Sequence, residues 1–484
     1  MRLSLYLLLL LFATACADTP DAGVRAEAAA PATNLNNGLA PNSGPAENPD
    51  ITVTLTGAAP GNVILVGQAT DQQFKALESA SDANGTVRFT QSEPLPAGYY
   101  FAYFDDGSAA QMLLDADQTL TITADKNDVI GTARVEGNLN TELLYDGLRY
   151  EQGDIKARFT DLNYKLQNTP KDSPEYDALA KQRVALTRER MDHFDQVFAD
   201  HPDSVYTSYK RAGQNPMFRE GLSEQDQVTA YRYDMWNNVN FNDERLLRTP
   251  VIANKLKRYI KELTPQNADS IKAAADFLLQ KVLGRNDYYQ YFANWITLQY
   301  EPGKVAVMDA EAIHSHMIKT YFTRDRAFWS DSMTVYGLQQ RADEMSYSLV
   351  GQQGPDITVP GFDGQPKRLY DMDEPYLIVY MYSPTCEHCI EETPILLQTL
   401  RGRSDIGVYA VALDSDANEW KTFVKRFGIQ DWTNVMDPTN RSIYKTYYVD
   451  NTPEIYLLNK ERKIIAKNLH PNQVIEAIRM QESK

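Results

Sequence analysis

The chain of 484 residues contains only three cysteines, Cys16, Cys386 and Cys389, so disulfide bonds cannot staple its fold. It also lacks an excess of positive charge, because 48 lysines and arginines face 65 aspartates and glutamates, a net charge of −17. Such a field repels polyanions, and we expect no nucleic-acid partner. Beyond the first 16 residues no apolar run approaches the ~18 residues that a membrane crossing needs. The composition, 43% hydrophobic and 23% charged, is instead typical of packed domains.

The first sixteen residues predict an export signal. Arg2 precedes an apolar stretch over residues 3–12, and the small residues 13–15 lead directly into Cys16. This arrangement resembles the signal of bacterial lipoproteins, in which cleavage before a cysteine is followed by lipidation of that residue. The resemblance implies a signal peptide over residues 1–15 and a lipidated Cys16. A lipid anchor would then hold the protein at a membrane of the bacterial cell envelope, facing the periplasm or the outside. The alternative is an ordinary secretory signal that leaves Cys16 as a free thiol.

Residues 16–50 predict a flexible tether that carries the lipidated cysteine. Alanine, proline, asparagine and glycine dominate this stretch, and Leu35 and Leu39 are the only large apolar side chains between Ala28 and Pro49. Such a composition cannot bury enough apolar surface to fold. The tether would therefore give the folded part reach from the membrane.

The next two regions predict a β domain followed by a helical domain. Over residues 51–138, apolar side chains alternate in short runs such as Ile51, Val53 and Leu55, and turn signals such as Asn84-Gly85 separate the runs. About seven strands at this spacing favour an antiparallel β sandwich. Over residues 139–350 the apolar period becomes helical, which predicts an α-helical middle domain. Nothing in the β region suggests catalysis.

The residues that carry chemistry lie in the last predicted domain, residues 351–484. A buried strand over residues 376–382 leads through a short turn to Cys386 and Cys389, which open a helix. The start of a helix presents unpaired N–H groups and a partial positive charge, which stabilise a thiolate at Cys386, while Cys389 is sheltered one turn further in. The spacing therefore predicts a redox dithiol in which one sulfur attacks and the other resolves.

Other uses of this cysteine pair are weaker. A structural zinc site needs four ligands, and the chain has no second cysteine pair. A structural disulfide across so short a loop would add at most ~2 kcal/mol by the chain-entropy model. Copper binding stays open as an alternative, because two cysteines and the intervening His388 are soft ligands. Otherwise we expect no metal and no cofactor beyond the Cys386–Cys389 disulfide itself.

Residues 355–484 resemble the thioredoxin-like domain of the TlpA/ResA type, found in membrane-anchored thiol–disulfide oxidoreductases that work outside the cytoplasm. Glu392 and Pro394 follow the cysteine pair as in that family, residues 411–414 match its second strand, and Thr452-Pro453 precedes a strand over 455–458. The resemblance implies an α/β thioredoxin-like fold with a cis peptide bond before Pro453. It also implies protein disulfide or dithiol substrates and a membrane reductant as partner.

The same resemblance implies roles for side chains around the dithiol. Glu392 would be the acid or base that moves the proton of Cys389. Thr452 and Pro453 would face the cysteine pair, and the backbone of Thr452 would pair with a substrate strand. Upstream, the β and helical regions resemble a small β domain and an uncharacterised helical domain that precede such modules in envelope proteins.

The residues between the cysteines and two departures from the family pattern bear on redox tuning. A cationic His388 would make the pair more oxidising, whereas Glu387 opposes that effect. Thr385 stands where the family usually has tryptophan, and Tyr380 stands where thioredoxin itself has a buried aspartate. We therefore expect partner recognition and proton handling to differ from those of thioredoxin.

Taken together, the patterns predict an envelope lipoprotein with an antiparallel β sandwich, an α-helical domain and a C-terminal α/β thioredoxin-like domain. It would exchange disulfides with protein substrates through the Cys-Glu-His-Cys dithiol. The alternative is an envelope binding or scaffold lipoprotein whose thioredoxin-like domain is vestigial or binds copper. The motif fixes neither the direction of electron flow nor the substrate.

Overall fold

The computed structural model describes residues 46–217, 219, 221–305, 307–437, 439 and 446–483. The predicted signal peptide, Cys16 and all but the end of the predicted tether lie outside the described residues. The chain divides into two compact units, Met1–Leu263 and Thr264–Lys484. Among the described helices, none is both long enough and apolar enough to cross a membrane.

The first unit opens with eight strands in two four-stranded sheets, ordered β4-β1-β7-β8 and β3-β2-β5-β6. The strands are β1 (Asp50–Thr56), β2 (Asn62–Ala69), β3 (Gln72–Ala80), β4 (Thr86–Thr90), β5 (Gly98–Phe104), β6 (Ala109–Leu114), β7 (Thr119–Asp125) and β8 (Arg134–Glu136). Buried and exposed side chains alternate along β1 and β7, as the sequence pattern predicts. Apolar residues from both sheets share one core, so the sheets pack on each other.

One strand pair departs from the predicted antiparallel arrangement. β1 and β7 run parallel, from the pair Asp50 and Thr119 to the pair Thr56 and Asp125. A parallel pair requires a long connection, and here the chain passes through the other sheet between the two strands. The expectation of a wholly antiparallel domain is therefore wrong for this pair.

Seven α-helices follow or flank these strands in the described part of the first unit. They are α1 (Val129–Thr132), α2 (Leu139–Gln152), α3 (Asp154–Asn168), α4 (Pro174–Asp200), α5 (Val205–Ala212), α6 (Glu224–Asp234) and α7 (Pro250–Lys257). Capping residues fix several starts, because the side chains of Asn138, Ser173 and Ser204 each accept a hydrogen bond from a first-turn N–H. Leu144 and Tyr145 of α2 and Tyr206 of α5 join the core of the β domain.

In the described part of the second unit, four helices precede the C-terminal sheet. The helices are α8 (Ala268–Lys281), α9 (Asn286–Gln299), α10 (Ala310–Tyr321) and α11 (Ser332–Met345). The helical stretch that the sequence places in one middle domain is thus divided between the two compact units near residue 263. Its last four helices belong with the sheet that carries the cysteine pair.

That sheet has five strands in the order β13-β12-β11-β14-β15, with a small hairpin of β9 and β10 before it. The elements are β9 (Thr358–Pro360), β10 (Pro366–Arg368), β11 (Tyr376–Tyr382), α12 (Glu387–Thr399), β12 (Ile406–Ala412), α13 (Ala417–Phe427), β13 (Thr433–Met436), β14 (Glu454–Leu458), β15 (Ile464–Lys467) and α14 (Val474–Glu482). β11, β12 and β13 run parallel, whereas β14 and β15 are antiparallel to their neighbours. All seven residues of β12 are buried, as in a sheet covered on both faces.

The two faces of this sheet bury different cores. Tyr380 and Tyr382 of β11 pack with Cys389 and residues of α12 and α13 on one face. Val379 and Met381 lie on the other face, in a core that includes Tyr456. Because side chains alternate along a strand, each residue of β11 is assigned to one of these two environments.

Candidate active site

The cysteine pair lies where β11 ends and α12 begins. Tyr382 is the last residue of β11, and the chain turns through residues 383–385 before the helix starts at Glu387. Cys386 is the N-cap residue of α12, with φ −74° and ψ 126°. The backbone N–H groups of the first helical turn therefore lie near its sulfur. The predicted strand-to-helix junction is therefore present, with the same limits for β11 as the sequence pattern gives.

Cys386 is partly exposed and contacts the turn before β14. Its Sγ donates to the carbonyl oxygen of Thr452 at 3.1 Å, and the Thr452–Pro453 peptide bond is cis, as expected. Burial alone would raise the pKa of the Cys386 thiol, but hydrogen bonds from the side chain and backbone of Cys389 outweigh it and lower that pKa. The structure thus places a thiolate-forming sulfur beside the turn that the family resemblance assigns to substrates.

Cys389 has the opposite environment. Its side chain is 0% exposed and belongs to the core on that face of the sheet. Burial, followed by its hydrogen bond to Cys386, raises the pKa of the Cys389 thiol to about 12. Both cysteines are free thiols in the structure. One sulfur of the pair is therefore set up to ionise, and the other to stay protonated until a base removes its proton.

A short chain of hydrogen bonds holds the backbone of Cys389. The Thr393 hydroxyl donates to the carbonyl oxygen of Cys389 at 2.7 Å, and the hydroxyl of Tyr380 lies 2.8 Å from Thr393 Oγ1. Since the Thr393 proton is used on the carbonyl, Tyr380 is the donor of the second bond. The sequence singles out Tyr380 only as a departure and misses Thr393, although its position four residues after Cys389 is the signal for such a bond.

The buried phenols cannot replace the carboxylate of thioredoxin as a base. Burial raises the pKa of Tyr380 well above its ordinary value, and burial likewise raises the pKa of Tyr382. A phenol that stays protonated can donate a hydrogen bond but cannot accept the proton of Cys389. The hydroxyls of Tyr380 and Tyr382 on this face of the sheet are therefore neutral.

Glu392 is the carboxylate of α12 that lies close to this core. Its side chain is 22% exposed, and its Oε1 accepts a hydrogen bond from Nδ1 of His470 at 3.2 Å. His470 precedes the short helical turn before α14 and is largely exposed. The sequence gives no signal for this pairing, because the two residues are distant in the chain and no motif contains His470.

Curated relatives match about a quarter of this chain. The thiol-disulfide oxidoreductase ResA of Bacillus cereus is 26% identical over 120 residues, which are 24% of this chain and 68% of that protein. ResA of Bacillus anthracis is 25% identical over 118 residues, which are 24% of this chain and 67% of that protein. No family model matches the chain.

The C-terminal domain is similar in sequence to ResA and has thioredoxin-like neighbours among solved structures. A thioredoxin-like protein from Bacteroides caccae has 17% identity and a TM-score of 0.47, covering 55% of this chain and 98% of that one. The thioredoxin domain of a thiol-disulfide oxidoreductase from Bacteroides vulgatus has 26% identity and a TM-score of 0.26, covering 27% of this chain and 96% of that one.

The two residues between the cysteines face solvent. His388 is 79% exposed, its Nδ1 lies 3.8 Å from a carboxylate oxygen of Glu391, and Glu387 is also exposed. Solvent screens their charges, so any effect of either side chain on the sulfur acts across water rather than through a buried contact. Their assignment as tuning residues stays a prediction.

The residues that the structure describes contain no group of three or more His, Cys, Asp or Glu side chains that could hold a metal ion. The cysteine pair with His388 therefore has no further ligand gathered beside it in that part of the chain. The arrangement provides two thiols of opposite acidity, a carboxylate on the same helix and a turn whose carbonyl oxygen contacts the partly exposed thiol. These parts suit thiol–disulfide exchange.

Proposed function

We propose that the protein is a thiol–disulfide oxidoreductase that exchanges disulfides with protein substrates through Cys386 and Cys389. One observation carries the proposal: within one helical turn the structure pairs a partly exposed thiol of lowered pKa with a fully buried thiol of raised pKa. The thiolate is the nucleophile in disulfide exchange, so this asymmetry separates the attacking from the resolving sulfur. The names of the curated relatives support the same activity.

The exchange takes two steps. The Cys386 thiolate attacks one sulfur of the substrate disulfide, forming a mixed disulfide and releasing the other substrate sulfur as a thiolate that takes up a proton. Cys389 then loses its proton and attacks Cys386 Sγ, which forms the Cys386–Cys389 disulfide and releases the second substrate thiol. The substrate gains two electrons and the protein loses two, and the reverse sequence oxidises a dithiol.

The neighbouring residues have separate roles in this proposal. Glu392 accepts the proton of Cys389 in the second step, because the phenols of Tyr380 and Tyr382 stay protonated. Thr452 and Pro453 position the substrate strand, since the Thr452 carbonyl oxygen lies 3.1 Å from the attacking sulfur. Glu387 and His388 adjust the reduction potential from the exposed side of the turn.

We further propose that the protein works in the bacterial cell envelope, held there by lipid on Cys16 and recycled by a membrane reductant. The support is the sequence of residues 1–16 and the similarity to ResA. Intact mass of the mature protein tests the anchor: two or three acyl chains on an N-terminal Cys16 are expected. A mature N-terminus without acyl groups would contradict it.

Trapping tests the activity. Cys389→Ala should accumulate mixed disulfides between Cys386 and substrate proteins, because the resolving sulfur is gone. Cys386→Ala is the matched control and should trap nothing. In parallel, alkylation of Cys386 should reach its half-maximal rate below the pH of about 8.5 typical of free cysteine. An empty trap together with alkylation that follows free cysteine would refute the proposed function.

A further inference from the structure

An open groove lies between α11 and the loop that leads to the cis peptide bond. One wall is a single face of α11, since Gly337, Gln340, Arg341 and Glu344 are spaced as neighbours on a helix. The other wall is formed by residues 448–450. The groove encloses about 400 Å³, which is within the range of volumes that bind small ligands or a few residues of a peptide.

The loop wall of the groove is held in place from α11. Nε of Arg341 donates to the hydroxyl of Tyr448 at 3.0 Å, and Nη2 of the same guanidinium lies 3.4 Å from Oδ1 of Asp450. The Tyr448 side chain is also largely buried against the helical part of the unit. The two walls therefore form one structure, in which the helical segment and the C-terminal domain meet.

This groove lies a short chain distance from the cysteine pair. Asp450 precedes Thr452 by two residues, which is about 7 Å of extended chain. The carbonyl oxygen of Thr452 lies 3.1 Å from Cys386 Sγ. A polypeptide whose cysteine reacts at Cys386 therefore reaches the groove with about four extended residues.

The charges in the groove favour a basic ligand. Arg341 is already paired with Asp450 and Tyr448. Glu344 makes no side-chain hydrogen bond or ion pair with any residue that the structure describes, and it lines the same groove. Two carboxylates thus face one guanidinium, and the net charge of −17 adds a negative field around the whole molecule.

We propose that this groove binds a basic polypeptide segment that flanks the reactive cysteine of the substrate. The helical segment then acts as a specificity element of the C-terminal domain, selecting which protein disulfides reach Cys386. This inference rests on the proposed thiol–disulfide exchange and names the substrate class for it. The function of α11 is to form one wall of the binding site and to fix the other.

Binding can be tested without any redox step. The probe is a fluorescent peptide of about twelve residues, with lysines on both sides of a central serine in place of cysteine, titrated against the full protein. Gly337→Phe fills the groove, and a Cβ at Gly337 meets nothing within 4 Å, so the helix accommodates it. We expect binding to weaken about tenfold. Ala273→Phe adds the same bulk to an exposed position of α8 and should bind as the wild type does.

A second variant removes a negative charge from the groove. Glu344→Gln should weaken binding of the lysine peptide about threefold and leave a peptide with glutamates in the same positions unaffected. Equal binding of the lysine peptide by the wild type, Gly337→Phe and Glu344→Gln would overturn the groove assignment. A preference of the wild type for the glutamate peptide would overturn it as well.

A kinetic measurement separates this inference from the proposed function. The reduced protein is given the cysteine form of the lysine peptide as a mixed disulfide with glutathione, and in a second reaction glutathione disulfide alone. For Gly337→Phe the ratio of kcat/KM for the peptide to kcat/KM for glutathione disulfide should fall about tenfold. An unchanged ratio refutes the groove. If the wild type reduces neither substrate, the proposed function fails while the binding result still decides the groove.

Discussion

The two faces of the C-terminal sheet control ionisation in different ways. On the cysteine face, burial and the hydrogen bonds between the two cysteines set the acidity of both sulfurs. On the opposite face, Glu454 of β14, Lys467 of β15 and Glu311 of α10 are all buried. Lys467 Nζ lies 3.5 Å from Glu311 and 5.0 Å from the centre of the Tyr456 ring. The comparison shows that one sheet can separate a reactive centre from a structural set of charges.

The cis peptide bond lies between the two environments. Pro453 closes the turn that contacts Cys386, and the next residue, Glu454, pairs with Met381 and so lies on the charged face. Burial raises the pKa of Glu454 to about 8, although Lys467 opposes that shift. The described residues offer no hydrogen-bond partner for its Oε1. The charged face therefore begins at the residue that directly follows the turn of the active site.

The strongest test of whether the two faces act independently is to remove the buried cation. Lys467→Met keeps the length of the side chain and leaves Glu311 buried without its ion-pair partner, so we expect a loss of about 3 kcal/mol in the free energy of unfolding. Urea unfolding measures it, and Lys463→Met, at an exposed position of the preceding turn, is the control. The alkylation midpoint of Cys386 should not move. A shift of that midpoint would show that the two faces are coupled.

Glu454→Gln tests the same face through its pH dependence. Because the folded pKa of Glu454 is about 8 and the unfolded value is about 4.5, the wild-type protein loses stability as the pH rises from about 4.5 through 8. The neutral glutamine removes that loss. Between pH 5 and pH 8.5 the stability of the variant relative to the wild type should rise by about 4 kcal/mol. A constant difference across this range would mean that Glu454 does not titrate there.

The sequence predicts the cysteine face better than the charged face because its features are local. The strand over residues 376–382, the helix opened by Cys386 and Cys389 and the turn at Thr452-Pro453 each follow from a short motif. The family resemblance predicts the second strand at residues 411–414, whereas β12 spans Ile406–Ala412. Its continuous burial removes the alternation that would have shown where it begins.

The charged face could not be predicted, because its members come from separate parts of the chain. Asn468 and Glu311, which form a hydrogen bond at 3.0 Å, are 157 residues apart, and no spacing rule connects α10 with β15. For the same reason the sequence did not reveal that α8 to α11 belong with the sheet rather than with the helices before them. Pairings made by tertiary packing leave no periodic signal.

The smallest expected effect returns to the cysteine face. Glu392→Gln removes the carboxylate three residues after Cys389 on the same helix while keeping a partner for His470, so folding should be unaffected. Because Glu392 is partly exposed, water can accept the proton of Cys389 in its place. We therefore expect the resolving step to slow about tenfold, rather than the 10²-fold or more typical of a general base. Stopped-flow decay of a mixed disulfide with a model peptide measures that step. Its rate should also depend less on pH. Glu391→Gln, at an exposed carboxylate on the same helix, is the matched control, and equal rates for both variants would remove Glu392 from the mechanism.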